Sequence, residues 1–532
     1  MTPSDTGTDP SVFFGDAREC KAWLGSLAVS SPAQSLSAML DAVRVFNRAE
    51  FDPLERLKCL ELLRDRNAFM LAELRTRHFS KALPLGSADA SAWNTALAVV
   101  EEMEAGYRKC LTEGALDAHA ALIAQRMIRY IGAQMLLHSA VYKPVEGALW
   151  SRLHQVYAAA EKAGYAADKV KDSLEGDTGS SVMEAYARVV LMQATGLGEM
   201  TPAQVLFTEA VLRLWMRKVQ VLDRAPEEPA TAFLPIVVDL AQSRGAEATM
   251  RDALGSTQRV IDAEGLSRSV RRRLRALNAG EDVGTLGLPP EVSAVDPAQT
   301  LQRLAKRWSE PAPRPGPTNA PSSPVAGLVF GLPDIHFFLS GGKAFEQPGK
   351  QRELTHQEKN DIAVFGRVTE RTQSVMAAAG RTQAGMSPMP TMTVEPWDVV
   401  DESIDGVRLR RRSSATKTVA VGRLVAVRLG DTAPFIVGVV RELANEPEGI
   451  VMAVATIPGR PQPTAARGAN PSWSQALSMP ALEKAGIPRT LIVAGGLGHR
   501  GRPIHYWEEN AQQGKVLEVV ERGADFDRIT LA

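Results

Sequence analysis

Residues 311–324 read Pro-Ala-Pro-Arg-Pro-Gly-Pro-Thr-Asn-Ala-Pro-Ser-Ser-Pro, six prolines in fourteen positions. Proline fixes φ and has no backbone N–H to give to a helix or a sheet interior, so this run favours extended, semi-rigid backbone and builds no core. No single helix or sheet passes through it. The 532-residue chain must therefore organise on either side. The hydrophobic period differs between the sides: helical before the run, near two after it.

Before the run, residues 16 to about 225 read as helix after helix. Over 33–50, Leu36, Met39, Leu40, Val43 and Phe46 recur at helical spacing. Asp52-Pro53 and Thr201-Pro202 each read as an N-cap followed by a first-turn proline. Leu54, Leu57, Leu60 and Leu63 continue the apolar stripe. Further helices are expected over 89–111, 115–141, 148–163, 182–194 and 201–221. Gly- and Pro-containing loops separate them, such as 83–86 and 175–179. The phrase 149–159 faintly resembles a tetratricopeptide helix, but no fixed-period repeat supports that reading over an ordinary amphipathic helix. Over 226–310 the character is mixed, with short strands expected within 233–240 and 257–262. A helix bearing Arg268, Arg271, Arg272, Arg273 and Arg275 follows.

After the run, strands are expected over 419–429 and 435–443, with Gly430-Asp431 as the turn, and over 450–457 after Pro447-Glu448-Gly449. Others are expected over 489–494, 515–521 and 527–531. Residues 359–379 read as a helix with Ile362, Phe365 and Val368 on one face. The fold class is thus α+β and multi-domain, an all-helical N-terminal array followed by an antiparallel β-barrel region. The expected divisions are a helical scaffold over 1–225, a mixed segment continuing it over 226–310, and the linker over 311–324. A barrel domain with its lead-in follows over 325–457, then a second small β domain or barrel extension over 458–532.

Lys plus Arg (61) equals Asp plus Glu (61), so no global field draws nucleic acid or an anionic membrane, and any anion site must be local. The three cysteines, Cys20, Cys59 and Cys110, form no C-x-x-C pair and suit a reducing cytoplasm rather than a disulfide or zinc scaffold. The first ten residues hold no basic-then-apolar leader. No run approaches the ~18 apolar residues of a membrane span. Walker-A and H-E-x-x-H patterns are absent, as is the Gly-Gly-Asp/Glu-Glu-Phe signature of cyclic di-GMP synthesis, and the eight histidines are dispersed. No catalytic residue, metal ligand or enzyme activity is assigned. Gly341-Gly342 and Gly495-Gly496-Leu497-Gly498 read as turns, since neither opens a βα unit.

One constellation carries binding chemistry. Asp401-Glu402-Ser403-Ile404-Asp405-Gly406 lies where a strand runs into a tight turn and leaves as another strand. Arg367-Val368-Thr369-Glu370-Arg371 lies upstream. Asp-x-Ser-x-x-Gly preceded by Arg-x-x-x-Arg resembles the PilZ domain, a small β-barrel receptor for cyclic di-GMP. Val421–Leu429 and Val437–Leu443 also resemble that family's strands after the motif, and the resemblance covers roughly 367–457. It implies that Arg367 and Arg371 clamp phosphate and guanine, that Asp401 and Ser403 read a guanine, and that Gly406 shapes the turn.

The residue types suit such a ligand. Arginine's planar fork matches a phosphate or the O6/N7 edge of guanine. A carboxylate accepts from the guanine ring N–H and amine, a donor pair that adenine lacks. Serine both donates and accepts. Glycine allows a positive φ and a close approach. Arg381 is a substitute for the upstream pair, and Arg408 and Arg410 are accessory phosphate contacts. The function expected is a cytoplasmic cyclic di-GMP receptor that couples binding to a conformational or partner-binding change, with a protein partner on the helical region. No nucleic acid is expected as a partner. Two alternatives stay open: an interaction scaffold whose barrel binds no nucleotide, and an RNA-associated protein using the arginines at 268–275, which otherwise form a solvated helix face.

Overall fold

Helix caps and apolar stripes written in the first half of the chain become real helix starts and buried faces. The computed structural model describes residues 13–27, 31–78, 82–112, 116–224, 235–248, 254–310, 319–349 and 393–532, together with 357, 360, 361, 364 and 369. The chain divides into two compact units: residues 1–316 with 418–420 and 442–450, and the remainder of 317–532. No helix among the described residues is long and apolar enough to cross a membrane.

The first unit opens with α1 (Ala17–Ser26), α2 (Pro32–Arg48), α3 (Pro53–His78), α4 (Ser87–Thr112), α5 (Ala120–Ala140) and α6 (Gly147–Lys162). Asp52 Oδ1 accepts from the N–H groups of Leu54 (3.0 Å) and Glu55 (3.1 Å), so it caps α3 as its sequence position predicts. A hairpin, β1 (Val170–Asp172) and β2 (Gly176–Ser180), precedes α7 (Val182–Ala194) and α8 (Pro202–Trp215). This corrects the reading of 175–179 as a plain loop. Thr201 and Gln204 form a reciprocal capping box at the start of α8. Strands β3 (Gln220–Leu222), β4 (Ile236–Asp239), β5 (Glu247–Ala248) and β6 (Gln258–Asp262) make a four-stranded sheet in the order β3-β6-β4-β5. Helices α9 (Glu264–Asn278) and α10 (Pro297–Arg307) complete the unit.

Helix α5 is apolar on more than one side, and it is buried accordingly. Ile123, Met127, Tyr130 and Leu137 join the core formed with α1–α4. Ala124, Ile128, Ile131 and Met135 join a second core with α6–α10 and the sheet. His154 occupies a satisfied core position, with Nδ1 against Tyr186 Oη and Nε2 against Arg244 O, both at 2.9 Å. The basic helix α9 spends several arginines internally. Arg271 donates to Ser309 Oγ (2.6 Å), and Arg273 donates to Leu286 O (2.7 Å) while lying 4.2 Å over the Trp215 ring.

Hairpin β1–β2 carries a carboxylate into this helical core. Asp172 is fully buried and is met by Arg64, Arg126 and Arg129. Gln125 Nε2 bridges Asp172 Oδ2 (3.2 Å) and Ser180 Oγ (2.7 Å), and Arg126 also grips both oxygens of Glu61 at 2.8–2.9 Å. Burial alone would push the Asp172 carboxyl up. The guanidinium groups of Arg129, Arg126 and Arg64 outweigh that and hold it at about 2.

The second unit is built on two closed six-stranded antiparallel barrels. The first comprises β7 (Val325–Phe330), β8 (Glu395–Ser403), β9 (Gly406–Arg411), β10 (Leu424–Leu429), β11 (Ile436–Glu446) and β12 (Gly449–Thr456), in the order β10-β11-β12-β9-β8-β7. Helix α11 (Leu332–Leu339) follows β7. The second barrel comprises β13 (Gln462–Arg467), β14 (Ser474–Met479), β15 (Thr490–Ala494), β16 (Pro503–Trp507), β17 (Ala511–Arg522) and β18 (Phe526–Leu531), in the order β13-β14-β15-β18-β17-β16. The helix-then-barrel class expected from the hydrophobic periods is what the chain adopts. The strand expected over 419–429 begins only at Leu424, because Val419 exchanges backbone hydrogen bonds with Leu83 instead. The expected helix over 359–379 lies outside the described residues.

The two barrels share one apolar cluster. Val329, Ala426, Val437 and Val439 of the first meet Leu477, Met479, Ile492 and Phe526 of the second, with Leu332 and Ile335 of α11 packed into the same cluster. Leu424 N donates to Asp525 Oδ1 (2.9 Å) and Ala524 N to Gly422 O (2.7 Å), so polar backbone at this contact is also satisfied.

Candidate functional site

Strands β8 and β9 pair as a hairpin whose two-residue turn is Ile404-Asp405, with Ser403 opposite Gly406. Strict alternation along β8 would place Asp401 on the same face as the buried Trp397 and Val399. The register shifts by one residue between Val399 and Asp401, with Val399 opposite Leu409 and Asp401 opposite Arg408. The extra residue, Val400, makes a β-bulge, and it turns Asp401 out of the barrel core onto the face of Arg408. Val407 and Leu409 point inward and are buried, while Arg408 is exposed and Arg410 half-buried.

The outer face of the hairpin therefore gathers alternating charge. Asp401 Oδ2 lies 3.7 Å from Arg408 Nη1. Asp398 sits opposite Arg410 and accepts from Arg412 Nε (2.7 Å) and Nη2 (2.6 Å). Ser403 Oγ donates to Gly406 O at 3.2 Å, and its lone pairs remain acceptors. At the hairpin tip Ile404 is 95% exposed. Together these groups supply carboxylate acceptors for paired N–H donors and guanidinium forks for phosphate or a purine edge.

Neighbouring segments fix the hairpin. The second half of the proline-rich run lies alongside β8: Asn319 N donates to Glu402 O (2.7 Å), and Val399 N donates to Pro324 O (3.0 Å). Glu402 Oε1 accepts from Ser322 N (2.7 Å) and Ser322 Oγ (2.9 Å). After β9, Glu395 Oε1 gathers Thr416 N, Thr416 Oγ1 and Lys417 N within 2.6–2.8 Å. Burial raises the Glu395 carboxyl, but these donors more than reverse that and hold it below its ordinary value. None of these supports was legible as a motif, since they join residues far apart in sequence.

Gly406 is required for a reason other than the expected positive φ, for it is not among the positive-φ glycines. A Cβ there would lie 2.2 Å from Val454 O of β12, a backbone atom that cannot step aside cheaply. Gly406→Ala should therefore cost about 1–3 kcal/mol by overpacking and splay the hairpin. Urea unfolding of the variant checks this, and a loss under 0.5 kcal/mol would contradict the close approach.

Arg367, Arg371 and Arg381 lie outside the described residues. The glycine-rich loop 495–498 is an anion cradle that the chain fills itself. Buried Asp527 Oδ2 accepts from Gly496 N (2.8 Å) and Gly498 N (2.9 Å), and its Oδ1 accepts from Arg522 Nε (3.1 Å). Among the described residues no cluster of three or more His, Cys, Asp or Glu is arranged to hold a metal ion.

Comparison with known proteins adds an independent signal, and the family match falls on the helical part. The model of a family described as the N-terminal domain of the cyclic-di-GMP receptor FimW matches residues 18–227. The chain is also similar to the cyclic-di-GMP receptor FimW of Pseudomonas aeruginosa, with 25% identity over 355 residues. That match covers 64% of this chain and 56% of the relative, so it spans little more than half of the relative's length. No solved structure matches the chain.

Proposed function

We propose that this protein is a cyclic di-GMP receptor and not a catalyst, and that the β8–β9 hairpin is the receiving face of a PilZ-like barrel. The observation that carries the proposal is the bulge at Val400, which places Asp401 beside Arg408 on the outer face, where it can meet a ligand. The similarity to a named cyclic-di-GMP receptor supports it, and the matching family model does so from a different part of the chain. In this reading Asp401 accepts the paired N–H donors of one guanine, and Ser403 hydrogen-bonds the same base. Arg408 and Arg410 approach phosphate. Arg367 and Arg371, with Arg381 as substitute, close over the ligand. Fixing that arginine segment against the barrel shifts the protein toward one conformation, to the extent that the ligand prefers it. The helical unit then presents the outcome to a protein partner, in the cytoplasm.

Titration calorimetry of the full chain with cyclic di-GMP tests the reading. Binding is expected, and Asp401→Ala should weaken it by about 1–3 kcal/mol, the cost of losing a charged hydrogen-bond partner. No heat and no thermal shift at saturating nucleotide would sink the proposal. Equal affinity of wild type and Asp401→Ala would move the site elsewhere. The competing reading, a barrel that binds no nucleotide, draws on the Ser403–Gly406 hydrogen bond, by which the hairpin satisfies part of its own polarity.

A further inference from the structure

A groove of about 1070 Å³ lies wholly within the helical unit. Its walls repeat a helical spacing: Ala68, Leu71, Ala72 and Arg75 on α3, and Gly132, Ala133, Leu136 and Ala140 on α5. Val189 and Met192 of α7 and Leu214 of α8 add to the apolar lining. Leu214 is 47% exposed and Ala72 is exposed, so the groove opens to solvent at both of these walls. From Arg129 to Ala140 the α5 wall rises about 16 Å, three helical turns. A volume above the usual range of small-molecule pockets, a small-residue floor and an open side all suit a second helix laid between ridges.

The rim carries the selectivity. Arg75 pairs with Glu209 at 2.5 Å, Arg129 and Arg188 both meet Glu175, and Lys169 meets Glu184 at 2.5 Å. Arg213, near the end of α8, and Arg217, in the turn Met216–Lys218 just past it, have no hydrogen bond or ion pair among the described residues, and both are exposed. Six cations face four carboxylates, so the rim holds a net positive charge at this end. On the short turn Pro290–Ala294, which packs against α8, Glu291 Oε2 is buried with no hydrogen-bond partner among the described residues. That atom needs an N–H donor. An aliphatic carboxylate or phosphate would satisfy the arginines and leave Glu291 wanting, whereas a helix offers both acidic side chains and, in its first turn, N–H groups without intrahelical partners. No aromatic side chain is among the described lining residues, so a nucleobase would find no ring to stack on.

We infer that this groove docks an acidic amphipathic helix of a partner protein, with its apolar stripe against α3, α5 and Leu214 and its carboxylates on Arg213 and Arg217. The inference stands apart from the nucleotide reading, and its test contains no cyclic di-GMP. Three fluorescent 16-residue probes are titrated into the full chain at low salt. The first has a leucine stripe at i, i+3, i+4, i+7 and i+11 flanked by glutamates. The second has lysine for every glutamate, and the third has two central prolines. The acidic probe is expected to bind at least tenfold more tightly than either control. Arg213→Glu with Arg217→Glu should cut its affinity at least tenfold, and Ala133→Trp, which fills the floor, should do the same. The exposed arginine pair keeps the test decisive if the tryptophan variant does not fold. Equal binding of the three probes would overturn the inference. So would acidic-probe affinity unchanged in the arginine variant, or one-to-one binding of laurate with no binding of the acidic probe.

Discussion

Asp172→Ala is expected to lower the stability of the helical unit by about 3–5 kcal/mol, the cost of removing one partner from a buried ionic cluster. The loss is large because Arg64 and Arg126 are themselves buried and would keep their charge with one counter-ion fewer. The same group gives an acid signature. Its folded value of about 2 lies below the ordinary carboxylate value of about 3.9. A depressed value means stability present above the unfolded pKa and lost as pH falls through the folded one. The wild type should thus shed about 2.5 kcal/mol between roughly pH 4 and pH 2. The variant has no such group to titrate, so the gap between the two should narrow over that window. Urea unfolding at pH 7, 4 and 2.5 reads both effects. A gap independent of pH would contradict the arginine cluster as the cause.

Trp397→Ala is the second large effect, expected at about 3–5 kcal/mol for emptying a fully buried indole site. Trp397 stands in β8 opposite Ala326 of β7 and Arg411 of β9, and its ring lies 6.2 Å from that of Phe330. The strand it anchors carries Asp398, Asp401 and Ser403. If the β8–β9 hairpin receives cyclic di-GMP as proposed, loosening it should weaken that binding more than Asp401→Ala does, because orientation of the whole face is lost and not one acceptor. Trp397→Phe keeps a ring in the site and should recover most of both. A Trp397→Ala loss below 1 kcal/mol in chemical denaturation would show that the indole is not part of the barrel core.

These two residues mark what the sequence exposes and what it hides. Helix α8 was legible because cap, proline and apolar period agree in it, and helix α2 because its apolar residues recur at helical spacing. Strands β10, β11 and β12 were legible because they are rich in valine and bounded by turn residues. Strands β13, β14 and β16 were not, because Gln462-Pro463-Thr464-Ala465-Ala466-Arg467 and its partners mix small, polar and proline residues whose burial comes from the closed barrel. Hairpin β1–β2 was concealed by glycine and acidic residues that normally mark loops; its order comes from the arginines around Asp172. At the candidate site, residue types and turn were readable, but the bulge at Val400 was not, since it is a property of pairing with β9. The constraint on Gly406 comes from Val454, 48 positions further along the chain, and no local pattern announces it.

The apolar cluster common to the two barrels bears on how this unit can be inherited. Cut after Ile457, the first barrel would expose Val329, Val437 and α11 to water; begun at Pro458, the second would expose Leu477, Ile492 and Phe526. Neither half is a portable cassette. Recombination that transplants the β8–β9 hairpin into another chain must carry both barrels and α11 together. Drift in either barrel's facing surface is then answered by compensating change in the other.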